Sequence, residues 1–238
     1  MAKNRVTHAI IMAAGFGTRM QPLTTTTPKP LLTVNGITMI ESVIQNLRAN
    51  HIEQIYIVVG YLKDQFAFLT TKYPHIHLIT NPYYAQCNNI ASLYMARQYI
   101  PDAIILDADQ YINDATVLHP DFDLSGYNAV WTDQFTKEWL LTTDDQGIIT
   151  HCARNGGVHG YRLYSISRWN HADGVRLQHY LVDELQQHHT DLYWDDVALF
   201  QHPAAFQLKA YPMPRGAVRE FDSIAELAQV DPTYAKYL

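Results

Sequence analysis

Over its first hundred residues the chain alternates short apolar runs with amphipathic stretches. Thr7 to Ala13 reads as a first strand. Its centre, Ala9 to Met12, is apolar without a break, as a strand covered on both faces must be. Thr38 to Asn50 repeats apolar residues at helical spacing, with Ile40, Val43, Ile44 and Leu47 on one face. Gln54 to Val59 predicts a second strand, Leu62 to Thr71 a second helix, and His75 to Thr80 a third strand ended by Asn81-Pro82. A third helix is expected from Asn89, a residue type that caps helices, with Leu93, Met95, Ala96 and Tyr99 as packing positions. Ala103 to Leu106 reads as strand four. The order β-α-β-α-β-α-β implies a three-layer, Rossmann-like α/β fold: a mostly parallel sheet with helices on both faces. Ligands of such sheets bind outside the carboxyl ends of the strands. The turn after strand one and Asp107-Ala108-Asp109 after strand four are therefore expected to meet.

The second half is richer in β structure. Ala129 to Thr132, Trp139 to Thr142, Gly147 to Thr150 and Gly157 to Tyr164 read as strands, with a turn at Asp144-Asp145-Gln146-Gly147. One or two helices are expected within Arg168 to His189. Phe206 to Ala210 and Ala217 to Glu220 look like late strands, and Asp222-Ser223 starts a last helix. No repeat, low-complexity segment or flexible linker interrupts the chain, so a single domain spanning 1–238 is expected.

Composition narrows the class. Of 238 residues, 47% are hydrophobic and 17% charged, which is a globular balance. The net charge of −6 comes without a basic block, which argues against a nucleic-acid surface. No apolar run approaches the ~20 residues that span a bilayer. The start, Met1 to Arg5, runs into a strand with no leader-like segment, and a cytoplasmic protein is expected. Cys87 and Cys152 are far apart and not in C-x-x-C form, which fits free thiols in a reducing compartment. The closest histidine pairs, His188-His189 and His75-x-His77, lack zinc spacing and a completing cluster, and read as surface or packed residues.

The most specific stretch is Ala13-Ala14-Gly15-Phe16-Gly17-Thr18-Arg19-Met20, continuing through Pro22 and Thr24 to Pro28-Lys29-Pro30. Gly15 and Gly17 let the backbone turn sharply and approach a ligand, and successive N–H groups in such a turn form an anion-binding concavity. Arg19 adds a planar fork that matches phosphate oxygens. Lys29 adds a point charge between two prolines that stiffen its segment. No G-K-[ST] follows the glycines, so this is not the kinase-like phosphate loop. The third glycine of a dinucleotide fingerprint is replaced by Met20, and the acidic residue after strand two is missing.

This stretch closely resembles the signature G-x-G-[ST]-R-[LM]-x-P-x-[ST]-x-x-x-P-K of the nucleoside-triphosphate transferases that join a nucleotide to a phosphorylated small molecule. Further matches resemble one branch, the bacterial CTP:phosphocholine cytidylyltransferases of the LicC type. They are Val59-Gly60-Tyr61-Leu62-Lys63, Asn88-Asn89 leading to Ser92-Leu93-Tyr94, Asp107-Ala108-Asp109, Glu138-Trp139, Asp191-Leu192-Tyr193-Trp194-Asp195 and Glu220-Phe221-Asp222-Ser223. They run in family order along nearly the whole chain.

The resemblance implies a Mg²⁺-dependent transfer from CTP to phosphocholine, with residues 1–126 as the nucleotide-binding half and 127–238 as the acceptor-binding half. Asp109 and Asp222 match metal positions, with Asp107 as the rival of Asp109 or a ribose ligand. Arg19 is expected on the departing pyrophosphate, and Lys29 on the α-phosphate or acceptor phosphate. Ala13, Ala14, Gly15, Gly17 and Thr18 are expected around the nucleotide, with Gln86, Asn88 and Asn89 completing the pyrimidine pocket. Trp139, Tyr193 and Trp194, with Asp195 and Glu220, are the pieces for a quaternary ammonium, which aromatic faces and carboxylates recognise. Plainer readings stay open: Asp107 and Asp109 as turn residues, Asp222 and Asn89 as helix caps, the aromatics as packing. Other acceptors, sugar 1-phosphates among them, fit the same loop and aspartates. A non-catalytic nucleotide-binding regulatory protein is the alternative of a different class.

Overall fold

A computed structural model describes residues 4–238. Met1 to Lys3, where the leaderless start was read, lie outside the described residues. The parallel core of the sheet consists of β1 (His8–Ala13), β2 (Gln54–Val59), β3 (Ile76–Thr80) and β4 (Ala103–Asp107). Strand β1 pairs with both β2 and β4, and β3 continues beyond β2. The antiparallel extension comes from β5 (Gly126–Thr132), β6 (Leu140–Thr143), β7 (Ile149–Ala153), β8 (Gly160–Arg168) and β9 (Lys209–Pro212). The order across the sheet is β7-β6-β8-β4-β1-β2-β3, with β5 also paired to β8 and to β9. The α/β class expected from the pattern is the one observed.

Apolar alternation along β1 feeds two cores. Ala9, Ile11 and Ala13 face one side, where Ile40, Val43, Ile44 and Leu47 of α1 (Met39–Ala49) are fully buried. Leu69 of α2 (Phe68–Lys72) joins them. Ile10 and Met12 face the other side, against Ile90 and Leu93 of α3 (Ile90–Met95) and Leu177 and Leu181 of α4 (His171–Gln186). Thr38 caps α1 by accepting the Glu41 amide, as its position before the apolar face predicts.

Several boundaries differ from the sequence expectation, three of them near the site. The stretch Leu62 to Thr71 is not one helix: Leu62 sits at φ 48, and a 3₁₀ turn, Lys63–Phe66, precedes α2. The helix after Asn89 ends at Met95, and a 3₁₀ turn, Arg97–Tyr99, follows. Strand β8 starts later and runs four residues further than Tyr164, because its end pairs with β4 through Ile166↔Leu106. Cys152 is buried and Cys87 half-buried, both as free thiols. No helix among the described residues is long and apolar enough to cross a membrane.

Two features position a site. Chain order runs outward from β1 through β2 to β3, then returns to its other side with β4. The loops after β1 and β4 therefore diverge and leave a crevice between them. A two-stranded ladder, Gln110–Ile112 with Val218–Glu220, then carries the late chain back to the end of β4 through the pair Gln110↔Glu220. That ladder sets residue 222 beside residue 109.

Candidate active site

Two cavities open at the carboxyl ends of the parallel strands. The first, about 280 Å³, is lined by Ala13, Ala14, Gly15, Gly17, Thr18, Arg19 and Lys29 together with Asn89, Ser92, Asp107 and Asp109. The second, about 310 Å³, is lined by Glu138, Trp139, Leu163, Ser165, Tyr193, Asp195, Glu220 and Asp222. Arg19, Asn89, Asp107 and Asp109 belong to both. Each space suits a small molecule, and the two small molecules would meet at that common wall.

The loop after β1 is shaped by Gly17. Its φ is +63, and a Cβ there would lie 2.9 Å from Cβ of Lys29 and 3.1 Å from Thr24. A side chain at this position would push the loop off the lysine. At Gly15 a Cβ would meet nothing within 4 Å, so this backbone faces open cavity. The Thr24 hydroxyl donates to the Gly17 carbonyl at 2.8 Å and closes the turn. Arg19 reaches out of the loop, with Nη2 2.9 Å from Asp222.

Lys29 is buried at the meeting point. Its Nζ lies 2.7 Å from Oδ2 of Asp109 and 3.6 Å from Oδ1 of Asp222. Burial pushes the ammonium down, but Asp109 in contact and Asp222 beyond it raise it on balance. Two carboxylates from residues 113 apart in sequence thus converge on one cation. The helix-cap reading of Asp222 does not hold. Ser223 caps α6 (Ile224–Val230) in a capping box with Glu226, which leaves the Asp222 carboxylate for Arg19 and Lys29. The Asp109 carboxylate likewise bonds Lys29 rather than its own backbone turn. Among the described residues no cluster of three or more His, Cys, Asp or Glu could hold a metal. Two carboxylates suffice where substrate phosphates complete the shell of a hard cation, and the convergence on Lys29 Nζ fits that arrangement.

The second cavity is rich in carboxyl groups under strain from burial. Burial, followed by the charge of Asp109, pushes Asp107 up to about 8. Burial and then Asp107 raise Asp195 well above the carboxylate range. Burial pushes Glu220 up to about 7, although Arg162 at 2.9 Å and Gln110 at 3.0 Å oppose the shift. A cationic ligand would favour the ionised form of each.

Of the aromatic candidates, Trp139 and Tyr193 line this cavity, edge to face with ring centroids 5.9 Å apart. Trp194 does not. It is fully buried in the core, 6.1 Å from the ring of Tyr127 and 6.3 Å from Trp169. It opens α5 (Trp194–Asp196), and a helix start that presents Tyr193 and Asp195 to the cavity turns residue 194 inward. Gln86 is exposed and lines neither cavity. The Asn88 amide is spent on the Asp191 carbonyl at 3.0 Å. Asn89 makes no side-chain cap for α3: its Oδ1 accepts the Trp194 amide at 2.9 Å and ties the two cavities together.

Ser165, Leu163 and Arg162 are not singled out from the sequence, and Ser92 and Glu138 are noted only within matching stretches. Leu163 and Ser165 share a strand face by period-two alternation, a signal that needs the true extent of β8. Arg162 pairs with Glu220 across 58 residues, which no local pattern reveals.

Residues 9–138 match the MobA-like NTP transferase domain family. The chain is 40% identical over 235 residues to the 2-aminoethylphosphonate cytidylyltransferase of Lancefieldella rimae, covering 98% of this chain and 95% of that protein. It is 34% identical over 190 residues to the choline-phosphate cytidylyltransferase of Streptococcus pneumoniae, 79% of this chain and 82% of the other. The solved structure of the CTP:phosphocholine cytidylyltransferase LicC from S. pneumoniae is similar at a TM-score of 0.89 and 31% identity, covering 96% of this chain and 99% of that one.

Proposed function

Since this chain belongs to the MobA-like NTP transferase family, and within it to the cytidylyltransferases, we propose that it joins CMP from CTP to 2-aminoethylphosphonate, releasing pyrophosphate. The observation that carries the reading is the wall shared by the two cavities. A nucleotide in the first and an acceptor in the second would bring their phosphorus groups together at Arg19, Asp107 and Asp109.

In the proposed reaction a phosphonate oxygen of the acceptor attacks the α-phosphorus of CTP. The bond from that phosphorus to the bridging oxygen of the β-phosphate breaks, and pyrophosphate leaves. The nucleophile is already an anion, so no general base is required. The obstacle is charge repulsion, and positioning with charge cancellation supplies the catalysis. The loop around Gly15 and Gly17 holds the triphosphate by its backbone N–H groups. Arg19 neutralises the leaving group, and Lys29 the α-phosphate or the attacking oxygen. Asp109 and Asp222 would hold Mg²⁺, whose contribution is to cancel charge between the two anions. Asn89, with Ala13 and Ala14, faces the nucleoside. In this reading the first half of the chain serves the nucleotide and residues 127–238 supply most of the acceptor wall.

The choice of acceptor rests on the second cavity. Glu138 and Asp195 face it with no cation paired to them among the described residues, whereas Glu220 already holds Arg162. A primary ammonium donates hydrogen bonds to such oxygens, and a trimethylammonium cannot. The near full-length similarity to a phosphonate cytidylyltransferase points the same way. Phosphocholine is the second reading, favoured by the Trp139–Tyr193 pair. A sugar 1-phosphate carries no cation to answer the carboxyl groups.

Pyrophosphate release with CTP, UTP, ATP or GTP against 2-aminoethylphosphonate, phosphocholine and a sugar 1-phosphate tests the proposal. The expected result is the highest kcat/KM for CTP with 2-aminoethylphosphonate, roughly tenfold or more above phosphocholine. Equal or faster turnover of phosphocholine would transfer the assignment to the second reading. No release with any acceptor would overturn the enzymatic reading.

A further inference from the structure

Behind the acceptor cavity lies an ion pair that meets the ring of Trp139 and the backbone of Tyr193. Strands β6 and β7 are antiparallel with Leu140 opposite Ala153. That register makes Trp139, just before β6, a cross-strand neighbour of Arg154, just after β7. The Arg154 guanidinium lies over the ring of Trp139 at 5.4 Å and over that of Phe200 at 4.1 Å. Phe200 in turn meets Trp139 edge to face, at 5.1 Å and 90°. Arg154 Nη2 is 2.6 Å from Oδ1 of Asp196, whose side chain is 1% exposed. The other carboxylate oxygen, Oδ2 of Asp196, accepts the backbone amide of Tyr193 at 2.8 Å. Trp139 and Tyr193 line the cavity, whereas Arg154 and Asp196 do not.

We infer that the Arg154–Asp196 pair is the positioning device of the acceptor wall: it fixes Trp139 and Tyr193 relative to each other and so sets the choice among ammonium-bearing acceptors. Each partner has one hold. Asp196 pins the backbone from which the Tyr193 ring projects, and Arg154 braces the outer side of Trp139. The guanidinium suits this task because it lies over two rings at once, Phe200 at 4.1 Å and Trp139 at 5.4 Å, a planar contact that a lysine ammonium does not reproduce. Its charge is also balanced. An unpaired cation behind Trp139 would oppose a second cation on the cavity side, and Asp196 cancels that repulsion. Neither residue touches the reacting atoms, so the expected effect falls on acceptor recognition.

The inference rests on the function proposed above, and the experiment separates the two. Steady-state KM and kcat are measured for CTP, 2-aminoethylphosphonate and phosphocholine with wild type, Arg154→Met/Asp196→Asn and Arg154→Lys. The double substitution avoids leaving a buried carboxylate without its partner. It should raise acceptor KM by about tenfold, keep CTP KM within about twofold, and change the ratio of kcat/KM between the two acceptors. Arg154→Lys keeps a cation for Asp196 and loses the planar contact over the Phe200 and Trp139 rings, so acceptor KM should rise by about threefold with CTP KM flat. This variant also carries the test if the double variant does not fold. Unchanged acceptor KM, an unchanged acceptor ratio in the double variant, or CTP and acceptor KM rising together would overturn the inference while wild-type turnover leaves the proposed function standing. A wild type inactive on both acceptors would overturn both.

Discussion

Lys29 organises the site at the scale of single residues. A buried ammonium between Asp109 and Asp222 marks where a second cation would be drawn once triphosphate oxygens attract the lysine. Asp109→Asn or Asp222→Asn removes charge with little change of volume. Turnover should fall by roughly a hundredfold or more, with the apparent Mg²⁺ requirement shifted upward and the circular dichroism spectrum unchanged. The check is kcat as a function of Mg²⁺ concentration. Full activity of either variant at ordinary Mg²⁺ would remove that aspartate from the metal site. Much of this layer was legible in the chain. Gly17, Arg19 and Lys29 lie in one stretch and Asp109 in a turn whose chemistry is local, whereas Asp222 was marked only by the family resemblance. Trp194 was not legible, because three consecutive residues, Tyr193, Trp194 and Asp195, look equally suited to a cavity until a helix start turns the middle one into the core. The cap at Ser223 could have been read from Ser223-x-x-Glu226, which would have released Asp222 from the capping role.

At the scale of elements, the sequence located strands better than it joined them. Strand β2 has the bounds that its apolar run predicts, since a strand buried on both faces needs an unbroken run. The β-rich half shifted by several residues, because pairing partners set its strand ends. Strand β9 starts at Lys209 rather than at Phe206, where it pairs in parallel with Gly126 of β5. A small polar knot fixes this junction. Asp123 accepts from Lys209 Nζ at 2.7 Å and from the Tyr211 hydroxyl at 2.7 Å. Burial works to raise the Asp123 carboxyl, but these two partners lower it to about 2. A depressed carboxylate contributes stability that is complete above its unfolded value near 3.8 and fades as pH falls toward about 2. Asp123→Asn should therefore lower the melting temperature at neutral pH, with the gap to wild type closing between about pH 4 and pH 2. Thermal unfolding at a series of pH values checks this. A gap that stays constant down to pH 2 would show that the ion pair is not its source.

At the scale of the whole molecule, topology makes the site. The crevice exists because β4 returns to the far side of β1, and a reader of the β-α pattern expects it there. The ladder that brings residues 218–220 to residues 110–112 is different in kind. Its strands are three residues long, too short for a periodic signal, and they join distant parts of the chain. Only the family resemblance placed Asp222 beside Asp109 in advance. The same holds for the acceptor wall, where residues from before β6, β8 and α5 converge with Glu220. Local pattern supplied candidates, and the acceptor-facing set emerged from the fold.

In the proposed reaction two small molecules meet at the wall formed by Arg19, Asn89, Asp107 and Asp109, with CMP passing from one to the other. Phosphorus NMR of a reaction holding CTP, 2-aminoethylphosphonate, Mg²⁺ and the protein follows every phosphorus at once. The free phosphonate signal should be consumed in step with CTP. A coupled pair of signals from a phosphonate–phosphate anhydride should appear beside pyrophosphate, in equal amounts. CTP breakdown to free CMP and pyrophosphate with the phosphonate signal untouched, or no consumption of CTP, would contradict this reaction.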